Sequence, residues 1–326
     1  MKPYALFPRT PGLFSSLNVQ KNMLQDKVRN RAFKEAIFRN VKNGDVVIDL
    51  GTGTGILAIW AAQAGARKVY AIEETDVADL AEAVIKDNGF QDIITVLKAN
   101  SSEVKLPELA DVLIAEVVGH FLFEEGIVET VSGARDALLK PFGKTIPSSA
   151  SVFVAPAGLE ASFEELSFWN TWHDPSLSVV RALAANTAYV ETISPDALMA
   201  RPVKIFDVDF SRVVPGQLTA KVEFSIGRRG VFDGVLGWFR LALDEISFIE
   251  TAPWAVPTHW QQCLFPLENS VSVEETNEIE FGMSLDPFGH GSKWRWWVGR
   301  KGSKEREVHE FQITYGSGSR LMKERF

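Results

Sequence analysis

The sequence has one cysteine in 326 residues, Cys263, so no internal disulfide can form, and a thiolate zinc site would need its other ligands from five scattered histidines. No structural metal is expected. Any unbroken apolar run of about 18 residues or more is also missing, which excludes a membrane-spanning helix. The opening Met-Lys-Pro-Tyr-Ala-Leu-Phe-Pro-Arg lacks the apolar stretch of a secretory signal, so a cytoplasmic location is expected. Positive charge is not in excess: 34 Lys and Arg against 42 Asp and Glu leave a formal charge of −8, which argues against a protein that tracks phosphates along nucleic acid. A cationic substrate fits that balance better, although a modest negative charge is ordinary for soluble proteins. Internal repeats and long low-complexity tracts are absent, with only Gly316–Ser319 reading as a loose tail. What is present is 46% hydrophobic residues, enough for a core in each of the two domains that this length suggests.

From about residue 20 to about 140, helix-like stretches alternate with short apolar strands at Asp45–Asp49, Lys68–Glu73, Ile93–Lys98 and Asp111–Glu116. Gly55–Ala64 and Asp76–Asn88 have the composition of crossover helices between them, which predicts parallel βαβ units. After Pro147, segments rich in aromatic and β-branched residues take over: Ser151–Val154, Val203–Phe210, Gln217–Ile226, Gly234–Leu243, Asn277–Ser284, Ser292–Val298 and Glu307–Tyr315. They predict an antiparallel, barrel-like β-domain. The expected domains are residues 1–148 and 149–326. Phe163–Ala200 interrupts the strand rhythm with Trp169, Trp172 and a helix-compatible Leu177–Asn186. It reads as an inserted arm whose apolar residues would meet a second copy of the chain.

The most specific local signal is Val46-Val-Ile-Asp-Leu-Gly-Thr-Gly-Thr-Gly55, an apolar strand ending in Asp49 and followed by glycines at 51, 53 and 55. Glycines there let the backbone turn sharply and let a ligand lie against it. A dinucleotide fold would space them G-x-G-x-x-G to seat a pyrophosphate on the helix N-terminus, and here the third glycine comes one residue early. The pattern resembles class I methyltransferases, whose cofactor, S-adenosylmethionine, carries no phosphate. Glu73 ends the next strand 22 residues after Gly51, in place to accept hydrogen bonds from ribose hydroxyls.

After the fourth strand, Glu116 and Glu125 bracket an otherwise apolar loop, Glu116-Val-Val-Gly-His-Phe-Leu-Phe-Glu-Glu125, which should border the same crevice. Two carboxylates can clamp the planar donor fork of a guanidinium, and the loop alone reads equally as one solvated Glu and one helix cap. The chain as a whole resembles the protein arginine methyltransferases: the two glutamates nine positions apart match that family's double-Glu loop, Thr258-His259-Trp260 its Thr-His-Trp loop, and Met23-Leu-Gln-Asp-Lys-Val-Arg29 its pocket-lining segment.

The resemblance implies a Rossmann-like methyltransferase domain, a β-barrel domain with a dimerisation arm, and methyl transfer from S-adenosylmethionine to an arginine guanidinium. It further implies that Arg29 pairs with the cofactor carboxylate, that Asp26 and His259 orient the pocket, and that Glu116 and Glu125 grip the guanidinium. Met23 and Trp260 would line the pocket, although Met23 reads equally as core. Glu103 or Ser102 falls where the family contacts adenine. The chain also departs from the family pattern. Phe14 and Pro11-Gly12 replace a paired-tyrosine lid, Gln20 stands where His is usual, and Val117-Val118-Gly119-His120 replaces Trp-Met-Gly-Tyr, which brings His120 to the pocket rim. These changes leave free arginine as an alternative substrate, and an inactive cofactor-binding dimer as an alternative function.

Overall fold

The computed structural model describes residues 4–5, 16–159, 168–169, 171–212, 214, 216–286 and 293–312. Its first elements are β1 (Tyr4–Ala5) and the helices α1 (Leu17–Gln25) and α2 (Lys27–Asn40). There follow β2 (Val46–Leu50), α3 (Ile56–Gln63), β3 (Lys68–Glu73), α4 (Val77–Asp87), β4 (Ile94–Lys98), β5 (Ala110–Ala115), α5 (Ile127–Leu138) and β6 (Leu139–Ile146). The five strands β2 to β6 form one parallel sheet in the order β4-β3-β2-β5-β6. Helices cover both of its faces, which is why β2 reads as an unalternated Val-Val-Ile-Asp-Leu with every residue buried. Strand order reverses between β2 and β5, so a crevice opens beyond their carboxyl ends.

The second half comprises β7 (Ser149–Ala157), α6 (Val179–Ala185), β8 (Tyr189–Glu191), β9 (Val203–Asp209), β10 (Leu218–Ser225) and β11 (Gly230–Ala242). It continues with β12 (Phe248–Glu250), β13 (Gln262–Val273), β14 (Glu278–Asp286), β15 (Lys293–Arg300) and β16 (Arg306–Gln312). One antiparallel sheet runs β1-β8-β13-β11-β7-β9, with β12 on β11, and a second runs β10-β14-β15-β16. The sheets meet through aromatic side chains, with Phe265 of β13 5.2 Å from Trp296 and 6.1 Å from Trp294, both on β15. Among the described residues no helix is long and apolar enough to cross a membrane.

Five of the described strands were not expected from the sequence: β6 and β13 carry Pro141 and Pro266 within an otherwise strand-like run, β8 and β12 have three residues each, and β1 has two. Within the segment expected as an arm, Phe163–Ala200, the later part packs on the β-domain: β8 pairs with β13, and Arg181 of α6, 3% exposed, donates to the carbonyls of Leu267 and Glu268. Of the earlier part, Phe168 packs against Trp169 at 5.3 Å and Trp172 at 5.8 Å, and Phe168 and Trp172 remain exposed. Pro11-Gly12, Phe14, residues 163–167 and Gly316–Ser319 lie outside the described residues.

The domains are bolted together by the loop after β5. Its Phe121 is fully buried in the β-domain, edge-on to Phe265 at 5.0 Å and Trp294 at 5.6 Å. Gly237 on β11 leaves the space for it, since a Cβ there would strike the Phe121 ring. Gly237→Ala is therefore expected to overpack this contact, costing roughly 1–3 kcal/mol. A calorimetric melting temperature equal to that of the parent would show that the interface has slack that the packing does not suggest.

Candidate active site

Glycines 51, 53 and 55 all adopt positive φ, +64°, +54° and +82°, the left-handed region that favours glycine. A Cβ at Gly51 would lie 2.7 Å from Val117, and one at Gly53 would lie 3.0 Å from Gln20, which α1 lays over the loop with only 5% exposure. Beneath the loop, Asp49 is fully buried and accepts from the Thr52 hydroxyl at 2.5 Å. Burial pushes its carboxyl up to about 7, against the Thr52 bond and the charge of Arg29. Glu73 accepts from the Gly53 N–H at 3.1 Å, and from the Thr75 N–H and hydroxyl at 3.0 and 2.7 Å. Both of its oxygens are thus fixed at the edge of the glycine loop.

Asp26 is the joint of the second cluster, ending α1 and capping α2. One oxygen accepts from the Arg29 N–H at 2.9 Å, and the other from His259, at its backbone N–H (2.9 Å) and at Nδ1 (2.8 Å). Burial opposes ionisation of Asp26, but these hydrogen bonds outweigh it and hold the carboxyl below its ordinary value. One turn along α2, the Arg29 guanidinium meets Glu116 through Nε at 3.0 Å and through Nη2, with both side chains 6% exposed. Removing one partner of such a buried pair typically costs about 3–5 kcal/mol. The structure thus brings Asp26, Arg29, Glu116 and His259 into one linked group. Trp260 joins it by donating its indole N–H to the Val118 carbonyl at 2.7 Å, while His120 Nδ1 donates to the Trp260 carbonyl at 2.8 Å.

Other expected residues stand apart from that group. Glu125 is half-buried just before Gly126, the N-cap of α5, and Met23 is half-buried on α1. Ser102 and Glu103 are exposed on a turn where Ser102 bonds Asn100. Glu124 was not expected inside, yet it is 6% exposed, accepts from the Phe121 N–H at 2.7 Å, and fills the space that Gly119 leaves open. The signal for this was local, a glycine five residues before a glutamate in an otherwise apolar loop. Burial raises the Glu124 carboxyl to about 8, opposed by backbone N–H groups and reinforced by Glu125. Among the described residues no group of three or more His, Cys, Asp or Glu could hold a metal ion.

Known proteins resemble both halves of the chain. The family description "Arginine methyltransferase oligomerization subdomain" matches residues 148–292, and "Ribosomal protein L11 methyltransferase" matches residues 33–147. Protein arginine N-methyltransferase 1 of Dictyostelium discoideum is 31% identical over 284 residues, spanning 84% of this chain and 83% of its own length. Protein arginine N-methyltransferase 6 of Xenopus tropicalis is 30% identical over 289 residues, spanning 84% of this chain and 85% of its own. Among solved structures, the Trypanosoma brucei PRMT1 enzyme–prozyme heterotetrameric complex with AdoHcy superposes with a TM-score of 0.84 at 27% identity, covering 92% of this chain and 99% of that one. Arabidopsis thaliana protein arginine methyltransferase 10 gives 0.76 at 29% identity, covering 93% and 98%.

Glu124 makes stability depend on pH. Unfolded, its carboxyl loses its proton near the ordinary 4.5, whereas folded it keeps it to about 8. Between those values the native state binds more protons than the unfolded chain, so this group's contribution falls as pH rises. Glu124→Gln removes that loss, so its melting temperature should pull further above the parent's at pH 8 than at pH 5. An equal gap at both pH values would contradict the buried, protonated carboxyl.

Proposed function

Because this chain belongs to the protein arginine N-methyltransferase family, we propose that it transfers a methyl group from S-adenosylmethionine to a guanidinium nitrogen of arginine in protein substrates. One observation carries the reading: Arg29–Glu116 and Asp26–His259 converge from α2, the loop after β5 and the loop before β13, beside a glycine cradle at the carboxyl end of β2. What supports the cofactor at this loop is its backbone: Gly51, Gly53 and Gly55 turn it sharply at positive φ, and a Cβ at Gly51 or Gly53 would crowd Val117 or Gln20. Gly51, Gly53, Gly55 and Asp49 would seat it, Glu73 would hold its ribose, Ser102 or Glu103 would flank its adenine, and Arg29 would take its carboxylate. When bound, it supplies a methyl group activated by the sulfonium.

Little chemistry is then left for the protein besides alignment, which can be worth roughly 7–11 kcal/mol. Arginine is a poor nucleophile because its charge is spread over three nitrogens and its pKa lies above about 12. In this reading Glu116 and Glu125 grip the guanidinium, draw its positive charge toward the nitrogens they contact, and leave lone-pair density on the one that attacks. His259, held by Asp26, orients the pocket and takes up the departing proton. Met23 and Trp260 give the guanidinium apolar walls, with His120 at the rim. We also propose a cytoplasmic, homodimeric enzyme whose exposed Phe168 and Trp172 pack on a second copy. A monomer by light scattering at micromolar concentration would sink the dimer.

Labelled S-adenosylmethionine offered with an arginine-rich peptide or with free arginine tests the main reading. Label should enter the peptide, and label in free arginine alone would overturn the choice of substrate. Glu125→Gln should lower peptide kcat/KM by about 30-fold to several thousand-fold, the 2–5 kcal/mol lost when one partner of a buried charge pair is removed, with cofactor affinity unchanged. Glu116→Gln should lose as much and also weaken cofactor binding, because Arg29 loses its anchor. Glu73→Ala should raise the cofactor Kd while sparing the rate at saturation, since a ribose contact is made about equally in the ground and transition states. Active Glu116 and Glu125 variants together would end the arginine reading.

A further inference from the structure

The loop bearing Glu116 and Glu125 and the loop bearing His259 come from different domains, so the gap between them is only as well defined as whatever ties them together. Hydrogen bonds between the described residues do so directly. The Trp260 indole donates to the Val118 carbonyl at 2.7 Å, and His120 Nδ1 lies 2.8 Å from the Trp260 carbonyl oxygen. A carbonyl can only accept, so the His120 proton sits on Nδ1. Burial, with His259 beside it, pushes the His120 pKa down to about 4 against the pull of the Trp260 carbonyl, so the ring stays neutral in that tautomer.

The two bonds differ in what they hold. The Trp260 ring is 1% exposed and packs edge-on to Phe239 at 5.6 Å, so packing alone would keep the indole in place. The Trp260 carbonyl is another matter. The next residue, Gln261, has φ of +53°, a left-handed conformation that a residue with a side chain keeps only where its neighbours hold it. The hold comes from three points around that peptide: His120 on the Trp260 carbonyl, the Gln261 N–H on the Thr258 carbonyl at 3.3 Å, and the Gln261 amide on the Thr192 hydroxyl at 2.7 Å. Of these, only His120 comes from the loop that carries the glutamates.

We propose that His120 is a positioning residue for methyl transfer: through the Trp260 carbonyl it fixes the backbone of the His259–Trp260–Gln261 turn, and thereby the distance between His259 and the two glutamates. This rests on the arginine-methyltransferase reading of the site. In this role His120 acts through the turn it holds. The reach of the side chain matters, because Nδ1 sits on the ring atom next to Cγ, close to the backbone. A tyrosine at this position carries its hydroxyl at the far end of the ring and could not donate to the same carbonyl without moving the loops apart.

The test uses His120→Ala, His120→Asn and His120→Gln in the full chain, assayed with S-adenosylmethionine and an arginine-rich peptide. Asn places an amide N–H near where Nδ1–H stands, whereas Gln places it further out. His120→Ala and His120→Gln should lower kcat by about 10- to 100-fold, the scale of a misplaced catalytic group, with the cofactor Kd unchanged. His120→Asn should recover most of the loss, which a mere cavity or folding defect would not allow. In a His259→Ala background, adding His120→Ala should cost less than about threefold, because the residue it positions is gone. An Ala variant as active as the parent, an Asn variant as slow as Ala, or full additivity with His259→Ala would each overturn the proposal. A parent enzyme that labels no arginine would instead overturn the reading on which it rests.

Discussion

Phe121 sits at the tip of a first-domain loop and in the middle of the second domain's aromatic core, and the geometry of the whole cleft follows from that insertion. A ring buried between Phe265 and Trp294 cannot withdraw without leaving a large cavity, at a cost of roughly 3–5 kcal/mol. The residues on either side of it inherit its position. Glu116 is five residues before it and Glu125 four residues after it, so both ends of the loop are set by one side chain that does no chemistry. The loop also closes on itself, with the Leu122 N–H on the Gly119 carbonyl at 3.0 Å and Glu124 on the Phe121 N–H, and so transmits the anchoring without a hinge.

Economy of polar groups governs the rest of the cleft. Asp26 caps α2, starts the turn that carries Arg29, and binds both the backbone and the ring of His259. A single carboxylate therefore registers the helical segment against the β-domain. Arg29 in turn holds Glu116 in place while its own charge is neutralised, which is why two ionisable groups can be buried at the carboxyl end of β5. Because each of these residues has two tasks, substituting one displaces another. Effects there will not add as independent sites do.

The parts of this arrangement that were legible in the sequence are those with a period or a spacing. β2 and the glycines after it are a continuous apolar run followed by residues that only positive φ explains, and the nine-residue separation of Glu116 from Glu125 survives whatever shape the loop takes. β13 was missed because Gln262-Cys-Leu-Phe-Pro-Leu-Glu-Asn-Ser-Val-Ser-Val273 starts as a buried run and ends as an exposed one, with Pro266 between, so no single period fits it. The contacts of Phe121 with β11, β13 and β15 join residues more than a hundred positions apart, and the clasp between His120 and Trp260 is of the same kind. No local pattern announces them. Glu124 was missed for another reason: beside Glu125 it reads as solvated, and the local signal, Gly119 five residues earlier, gains its meaning once the fold shows that this glycine makes room for the carboxyl group.

Charge balance explains why that second glutamate can be tolerated. Glu124 and Glu125 are neighbours in the loop, and two negative charges so close together would repel one another in a medium that screens poorly. Keeping Glu124 protonated takes one of them away without removing the side chain that braces the loop. Asp26, Glu116 and Glu125 then outnumber Arg29, a balance that in the proposed reading favours a cation offering several N–H donors at once over a neutral guest of the same shape. The same excess sets a limit on the chemistry. In the proposed mechanism, a site that attracts the guanidinium by charge also holds it in the charged form, so any gain in nucleophilicity has to come from where Glu116 and Glu125 would pull, and therefore from the fixed geometry of the loop that Phe121 anchors.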